Sequence, residues 1–196
     1  KKIRLLDYKI IEEYLLDNKS INLVNINYNQ KKAFTKISNK SNSYINKSFS
    51  AAFKIINSGF SNKLINGPIS KKYFLKKKYL GVTEYISEKY KVKNPVMLIF
   101  NKNLSVCPIT THLPLKNVAK KINKRSIEEK VKLIDKFYKK IIGLRPKIGV
   151  VGLNPHCESI AKYNEDEKII KPAINNLKKF NIKISGPHPA DTCFLK

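Results

Sequence analysis

The chain has 196 residues, of which 42% are hydrophobic and 28% are charged, a balance typical of a soluble globular protein. No apolar run approaches the roughly 20 residues needed to cross a bilayer, and no signal-peptide pattern opens the chain. The three widely spaced cysteines, Cys107, Cys157 and Cys193, indicate neither a disulfide framework nor a CxxC metal knuckle. These observations argue against membrane-spanning and secreted classes and predict a cytoplasmic protein.

The charge balance is strongly basic, with 40 Lys and Arg against 14 Asp and Glu and a net charge of +26. Clustered basic residues would indicate nucleic-acid binding, because they neutralise phosphates. Here only Arg4, Arg125 and Arg145 are arginine, and the lysines are spread along the whole chain. Nucleic-acid binding is therefore an alternative from another class rather than the main prediction. The positive field is expected to attract anionic small substrates and cofactors.

In the first third of the chain, the residue pattern predicts a strand at the beginning, then a short helix, and then a second short strand near Leu23–Tyr28. A polar connection follows, and the apolar spacing over Ser43–Phe60 predicts a helix that ends at Gly59. Leu64–Ile65 is expected to form a very short strand before the loop Asn66–Lys71.

Two helix starts and one hairpin are expected next. Ser70 can cap the helix after the Asn66–Lys71 loop, and Thr83 is a plausible N-cap of another helix. Val96–Phe100 and Leu104–Cys107 are predicted to pair as a hairpin with a three-residue loop, in which Asn tolerates the left-handed position.

The second half predicts alternating helices and strands. A short helix is expected over Lys116–Ile122, and Ser126-Ile127-Glu128-Glu129 reads as a capping box. The remaining elements are predicted as follows: helix Ile127–Ile142, strand Ile148–Val151, helix Glu165–Phe180 and strand Lys183–Ile184. The alternation indicates an α/β sheet with helices on both faces.

Two histidines lie just after predicted strands, His112 in Thr110–Leu115 and His156 in Gly152–Glu158. Ligands gather beyond the carboxyl ends of strands in open α/β sheets, so these loops and the loop carrying Asp191 are expected to converge. Two imidazoles and one further ligand would make a catalytic divalent-metal site. Asp191 could ligate the metal or orient a ligand, and Glu158 is an alternative carboxylate. His188 is expected to be a surface loop residue. These residues predict a metal-assisted enzyme acting on an anion, without deciding between hydrolysis and oxidation.

At these residues the sequence resembles the 4-hydroxythreonine-4-phosphate dehydrogenase family of pyridoxal phosphate biosynthesis. The segments that carry the resemblance, in order, are NGPISK (66–71), G-x-TEY (81–85), TTHLPL (110–115), GLNPH-x-E (152–158), IIKPAI (169–174) and GP-x-PADT-x-F (186–194). The similarity extends from about residue 60 to the end of the chain.

The resemblance implies a two-lobed α/β/α sandwich similar to isocitrate and isopropylmalate dehydrogenases, working as a homodimer. It implies oxidation of the phosphorylated amino acid 4-phosphooxy-L-threonine with NAD or NADP and a divalent metal ion (Zn, Mg, Mn or Co). The expected product, 2-amino-3-oxo-4-phosphooxybutanoate, decarboxylates to 3-amino-2-oxopropyl phosphate.

Specific site residues follow from the resemblance. His112 and His156 would bind the metal, and Thr83 would contact the substrate. The remaining assignments are cofactor binding by Asn154 and Glu158 and a catalytic role for Asp191.

Several departures from the family pattern stand out. The family's third metal histidine lies in a downstream segment that is absent here, and the opening Gly-rich segment is absent as well. Val82 stands where the family usually has a substrate-binding histidine, so a related dehydrogenase acting on another phosphorylated or acidic hydroxy acid is an alternative. We expect residues 1–196 to be a single incomplete catalytic region that is inactive by itself. Its predicted lobe split puts 1–60 and 145–196 in one lobe and 61–144 largely in the other.

Overall fold

The computed structural model describes residues 2–17, 19–76, 78–158 and 163–194. The chain divides into two compact units, residues 1–85 and 86–196. This division differs from the predicted lobe split, which remains a prediction. Within the described ranges, none of the helices combines the length and the apolar character that a membrane span requires.

The described residues of the first unit form two strands, one complete helix and the start of a second, joined by shorter helical turns. In chain order its elements are β1 (Lys2–Leu6), a 3-10 turn (Ile11–Glu13), β2 (Ser20–Val24), a 3-10 turn (Asn39–Ser41), α1 (Asn42–Asn57), a π-helical turn (Lys71–Leu75) and the start of α2 (Val82–Lys89). The strand and the short helix predicted at the chain start are confirmed, as is the helix over 43–60. The second strand is present but ends at Val24, before the predicted Ile26 and Tyr28. Gly59 follows α1 with φ 81°, a left-handed conformation that glycine adopts readily at helix ends.

The β1–β2 sheet is parallel and presents an apolar face to solvent. Ile3 lies opposite Ile21, and Leu5 lies opposite Leu23. Because side chains alternate along a strand, these four residues share one face of the sheet. All four are exposed, from 42% for Leu23 to 65% for Leu5. The other face is covered at Leu6, which is buried.

An aromatic cluster forms the core between α1 and the start of α2. Phe49 on α1 and Tyr85 on α2 are both buried, with ring centroids 5.0 Å apart in an edge-on arrangement. Phe74, from the π-helical turn, packs 5.4 Å from Tyr85. Burial, with a smaller contribution from Tyr79, raises the pKa of the Tyr85 hydroxyl above its ordinary value.

The second unit contains three further helices and a second pair of parallel strands. Its elements are a 3-10 turn (Leu115–Asn117), α3 (Val118–Lys121), α4 (Lys124–Phe137), a π-helical turn (Tyr138–Ile142), β3 (Ile148–Val151), a 3-10 turn (Pro155–Cys157), a π-helical turn (Asp166–Ile170), α5 (Lys171–Lys178) and β4 (Ile184–His188). The short helix over 116–122, the long helices and the strand at 148–151 are confirmed.

The core of the second unit lies between α4, α5 and β4. Ile127 and Val131 on α4 pack with Ile174 and Leu177 on α5, and all four side chains are buried. Parallel pairing of β3 with β4, with Ile148 opposite Ile184, places α5 in the crossover of a βαβ unit. The predicted α/β class is confirmed. In the described part of the chain the strands form two separate two-stranded sheets rather than one continuous sheet.

Five local predictions are wrong. Leu64–Ile65 forms no strand, and the predicted hairpin is reduced to one antiparallel bridge between Ile99 and Val106. No left-handed Asn lies between those two residues. Thr83 lies within the first turn of α2, which begins at Val82, and is therefore not its N-cap. The capping box at Ser126 is replaced by an earlier cap, described in the Discussion. Ser70, in contrast, caps the next turn as predicted, with its hydroxyl accepting from the Tyr73 backbone N–H at 3.4 Å.

Candidate metal and substrate site

The turn after β3 begins where the strand pairing with β4 ends. The Gly152 backbone N–H donates to the His188 carbonyl at 2.8 Å. Asn154 then has extended geometry, as expected for the residue before a proline, and Pro155–Cys157 form a single 3-10 turn. We call residues 152–158 the His156 turn. It carries His156 beyond the carboxyl end of β3, the position that the sequence predicted.

A buried carboxyl group holds the His156 turn from inside. Asp166 has no solvent exposure, and its Oδ1 accepts from the Leu153 backbone N–H at 2.7 Å. Its Oδ2 accepts from the Asn154 backbone N–H at 3.0 Å and from Asn154 Nδ2 at 2.8 Å. Buried polar groups require such partners, and three donors converge here on one side chain.

Asp166 is not among the predicted site residues and lies near the start of the predicted helix Glu165–Phe180. Asp166 occupies the same helical face as Ile170, Ala173 and Leu177, at spacings of four, seven and eleven residues. All three of those side chains are buried. A carboxyl group in the apolar stripe of a helix is the signal that could have identified it.

Asn154, predicted to bind the cofactor, uses its side-chain amide within the turn. Nδ2 donates to Asp166 and also to Glu165 Oε2, the latter at 3.1 Å. Glu158, the other predicted cofactor ligand, is exposed at the end of the turn.

Cys157 lies in the His156 turn, within electrostatic range of Asp191 in the loop after β4. Burial raises the pKa of the Cys157 thiol, and the carboxylates of Asp166, Asp191 and Glu158 raise it further. A hydrogen bond from the Gly152 backbone acts in the opposite direction. Asp191, the predicted catalytic carboxylate, is thus near enough to the His156 turn to influence the pKa of Cys157.

Both predicted metal-binding histidines have left-handed backbone conformations. The φ angle is 57° at His112 and 55° at His156, and both side chains are exposed. Such angles are uncommon for residues other than glycine and concentrate at functional sites. The His112 loop follows Ile109, which packs against the core of the second unit.

The described residues do not by themselves form a complete metal centre. Among residues 2–17, 19–76, 78–158 and 163–194, no group of three or more His, Cys, Asp or Glu side chains is arranged to hold a metal ion. Thr83, predicted to contact the substrate, lies on α2 in the first unit and is exposed. The other predicted site residues belong to the second unit.

His188 is not the surface loop residue that the sequence predicted. It lies in β4, is half-buried, and its Nε2 is 2.8 Å from Ser185 Oγ. The prediction failed because the flanking prolines indicated a loop, whereas the strand continues through Pro187 and pairs His188 with Val151.

Comparison with known proteins decides the family. The profile of the family described as "Pyridoxal phosphate biosynthetic protein PdxA" matches residues 3–196. The chain belongs to the PdxA family. This PdxA chain is 39% identical over 138 residues to the 4-hydroxythreonine-4-phosphate dehydrogenase of Sulfurihydrogenibium sp. (strain YO3AOP1), a match covering 68% of this chain and 43% of that protein.

Solved structures agree with the family in fold. The PdxA chain superposes on the 4-hydroxythreonine-4-phosphate dehydrogenase from Klebsiella pneumoniae with a TM-score of 0.82 at 22% identity, covering 99% of this chain and 61% of that one. For the enzyme from Burkholderia phymatum the TM-score is 0.79 at 26% identity, covering 98% and 59%. The chain therefore spans less than half of the Sulfurihydrogenibium protein and about three fifths of these solved chains.

Proposed function

We propose that the full-length protein oxidises 4-phosphooxy-L-threonine with NAD or NADP in the presence of a divalent metal ion, as a step in pyridoxal 5'-phosphate biosynthesis. The observation that carries this proposal is the family match over residues 3–196, within which His112 and His156 follow core-anchored segments. Curated relatives bear the name of this activity.

The proposed reaction balances as a hydride transfer followed by decarboxylation. The C3–H bond of the substrate breaks and its hydride passes to the nicotinamide, while the C3 hydroxyl gives its proton to a base. The product, 2-amino-3-oxo-4-phosphooxybutanoate, then loses carbon dioxide to give 3-amino-2-oxopropyl phosphate. The redox chemistry is that of the nicotinamide, and the protein supplies binding and orientation.

The donor set fits a divalent transition metal. His112 and His156 would supply two imidazole nitrogens, which suit Zn²⁺ better than Mg²⁺ or Mn²⁺, since those two prefer oxygen ligands. A metal bound there would polarise the substrate hydroxyl and lower its pKa. We propose that the remaining protein ligand comes from outside the described residues, consistent with the absence of a three-ligand group within them.

The other site residues act on the substrate and the cofactor in this proposal. Asp191, close to the His156 turn, accepts the hydroxyl proton or orients a metal ligand. Thr83 contacts the substrate, and Asn154 and Glu158 contact the cofactor. The excess of lysine attracts the phosphorylated substrate. A homodimer in the cytoplasm is proposed on family grounds.

The test is reduction of NAD or NADP by purified full-length protein supplied with Zn²⁺ and 4-phosphooxy-L-threonine. We expect formation of the reduced nicotinamide, its loss on chelation, and a loss of at least 100-fold in His112→Ala, because an isolated imidazole holds the metal poorly. No reduction by metal-loaded, folded wild-type protein would reject the proposal.

Val82 motivates a second substrate candidate, another phosphorylated or acidic hydroxy acid, because it replaces the histidine usual in the family. Val82 is the half-buried first residue of α2. Comparing kcat/KM for 4-phosphooxy-L-threonine and for other phosphorylated hydroxy acids distinguishes the two. The second candidate is supported if any of the others is preferred.

A further inference from the structure

We infer that Asp166 is a positioning residue for His156, fixing the His156 turn in the geometry that metal binding requires. This inference rests on the proposed function, because it takes His156 to be a metal ligand. Asp166 does not reach the metal in this interpretation. It acts through the backbone N–H groups of Leu153 and Asn154, which lie just ahead of the histidine.

Asp166 is itself anchored on both sides. Its backbone N–H donates to Asn164 Oδ1 at 2.8 Å, and Asn164 is buried. Four residues later, Ile170 is packed in the core of the second unit. These contacts fix the position of the Asp166 backbone. The carboxyl group, and the His156 turn that is hydrogen-bonded to it, are therefore fixed as well.

The turn is packed against Asp166 with no spare room. A Cβ placed on Gly152 would lie 2.9 Å from Asp166 Oδ1 and 2.6 Å from Cys157 Sγ, both closer than real Cβ contacts. Only glycine allows the backbone to approach the carboxyl group this closely. A displacement of the Asp166 side chain is thus passed directly to residues 152–157.

The backbone of the turn needs such support. His156 and Cys157 have φ angles of 55° and 60°, two left-handed non-glycine residues in succession. Strained conformations persist only where the surrounding structure over-determines them. The His156 side chain is exposed, so packing of the ring does not explain the strain. The two backbone N–H groups just ahead of it, which donate to Asp166, supply the support.

The test compares metal binding by full-length wild-type protein and Asp166→Asn. The asparagine side chain has one acceptor oxygen where the carboxyl group has two, so at least one of the three donors would face an amide NH₂. We expect Zn²⁺ affinity to fall 10- to 100-fold, the range typical when a group supporting a metal ligand is changed. The d–d absorption of bound Co²⁺ should also change in position or intensity, which general destabilisation would not cause.

Glu167→Gln is the matched control. Glu167 is the next residue, is exposed, and its carboxylate pairs with Lys171 at 3.0 Å. The Glu167→Gln variant should bind Zn²⁺ with wild-type affinity and show the same Co²⁺ spectrum as the wild type. A loss equal to that of Asp166→Asn would show a general charge effect and overturn the inference.

His156→Ala separates the two hypotheses. If it retains wild-type metal affinity, the assignment of His156 as a ligand fails, and the proposed function with it. If it loses the metal while folded Asp166→Asn keeps wild-type affinity and spectrum, only the positioning role is overturned. Should Asp166→Asn not fold, as judged by circular dichroism, Asn154→Ala removes one of the three donors more gently. A several-fold loss of affinity is then expected, and wild-type affinity would overturn the inference.

Discussion

At the scale of single residues, strain and proposed function coincide at His112 and His156. Their left-handed φ angles of 57° and 55° carry an unfavourable energy of about 1–2 kcal/mol for each L-residue. Both side chains are exposed, so burial of the rings contributes no stabilising free energy that would offset this cost. Left-handed φ angles also occur at Phe34, Lys76, Lys91 and Asn181, so the conformation of the two histidines agrees with a functional role without assigning one.

Gly152 offers a test of how tightly the His156 turn is packed. Gly152→Ala places a methyl group 2.6 Å from Cys157 Sγ and 2.9 Å from Asp166 Oδ1, so the turn must shift. We expect the full-length protein to lose about 1–3 kcal/mol of unfolding free energy, the usual range for overpacking. Urea denaturation measures the change.

Two further variants make the Gly152 experiment specific. Gly67→Ala serves as the control, because a Cβ there meets nothing within 4 Å. Its effect should stay within about 0.5 kcal/mol, as for ordinary surface substitutions. Gly152→Ala combined with Cys157→Ala removes the closer clash and should recover part of the loss. Equal stability of Gly152→Ala and wild type would contradict the packing described.

The sequence predicted where the histidines lie but not what holds them. His112 and His156 stand out because each follows a predicted strand and lies near a proline, which are local patterns. Asp166 is separated from the backbone it binds by twelve and thirteen residues. The apolar stripe of the helix marks Asp166 as a buried carboxyl group but does not indicate its partners, because hydrogen bonds over that separation leave no periodic pattern in the sequence.

At the scale of elements, α4 begins with a cap that differs from the predicted one. Asn123 is extended, and its Oδ1 accepts from the Ser126 backbone N–H at 2.9 Å. Ser126 lies inside the first turn, where its hydroxyl donates to the Asn123 carbonyl at 3.0 Å. Asn and Ser are both good N-caps, and they lie three residues apart here, so the sequence offered two starts for one helix.

The cap is tested by comparing Asn123→Ala with Ser126→Ala in the full-length protein. Asn123→Ala leaves the Ser126 N–H without its acceptor and should cost about 0.5–2 kcal/mol of unfolding free energy. Ser126→Ala should cost less, because the capping bond remains. Urea denaturation gives both values, and hydrogen exchange should accelerate at the first turn of α4 only in Asn123→Ala. If Ser126→Ala instead costs more unfolding free energy than Asn123→Ala, Ser126 is the N-cap and the predicted capping box is correct.

Long amphipathic elements were predictable, and short apolar runs were not. The α4 helix buries Ile127 and Val131 and half-buries Ile134, and a spacing of four and then three residues falls on one side of a helix but not of a strand. The Leu64–Ile65 pair has too few residues to reveal a period, and Ile65 is in fact 96% exposed. Tertiary contacts, rather than local pattern, decide whether such a pair enters a sheet.

At the scale of the whole molecule, charge repulsion is the dominant electrostatic feature. With 40 basic and 14 acidic residues in this stretch, the compact state brings many like charges together. In dilute solution we expect the thermal unfolding midpoint of the full-length protein to rise between about 0.01 M and about 0.15 M NaCl. Over that range the Debye length shortens from about 30 Å to about 8 Å.

Screening can be separated from the binding of particular anions. Sodium chloride and sodium sulfate at equal ionic strength should raise the midpoint by similar amounts if screening is the cause. A larger rise with sulfate would indicate specific anion binding or stronger apolar burial. A midpoint that falls with added chloride would show that attractive ion pairs outweigh repulsion.

The apolar face of the β1–β2 sheet has a practical consequence for work with this stretch of chain. Ile3, Leu5, Ile21 and Leu23 form an exposed aliphatic surface on a sheet that has two strands within the described residues. Molecules with such an exposed apolar surface tend to associate. At low salt, we expect electrostatic repulsion between the positively charged molecules to oppose that association. Added salt screens repulsion both within and between molecules. It would therefore stabilise the fold in dilute solution and promote aggregation in concentrated samples.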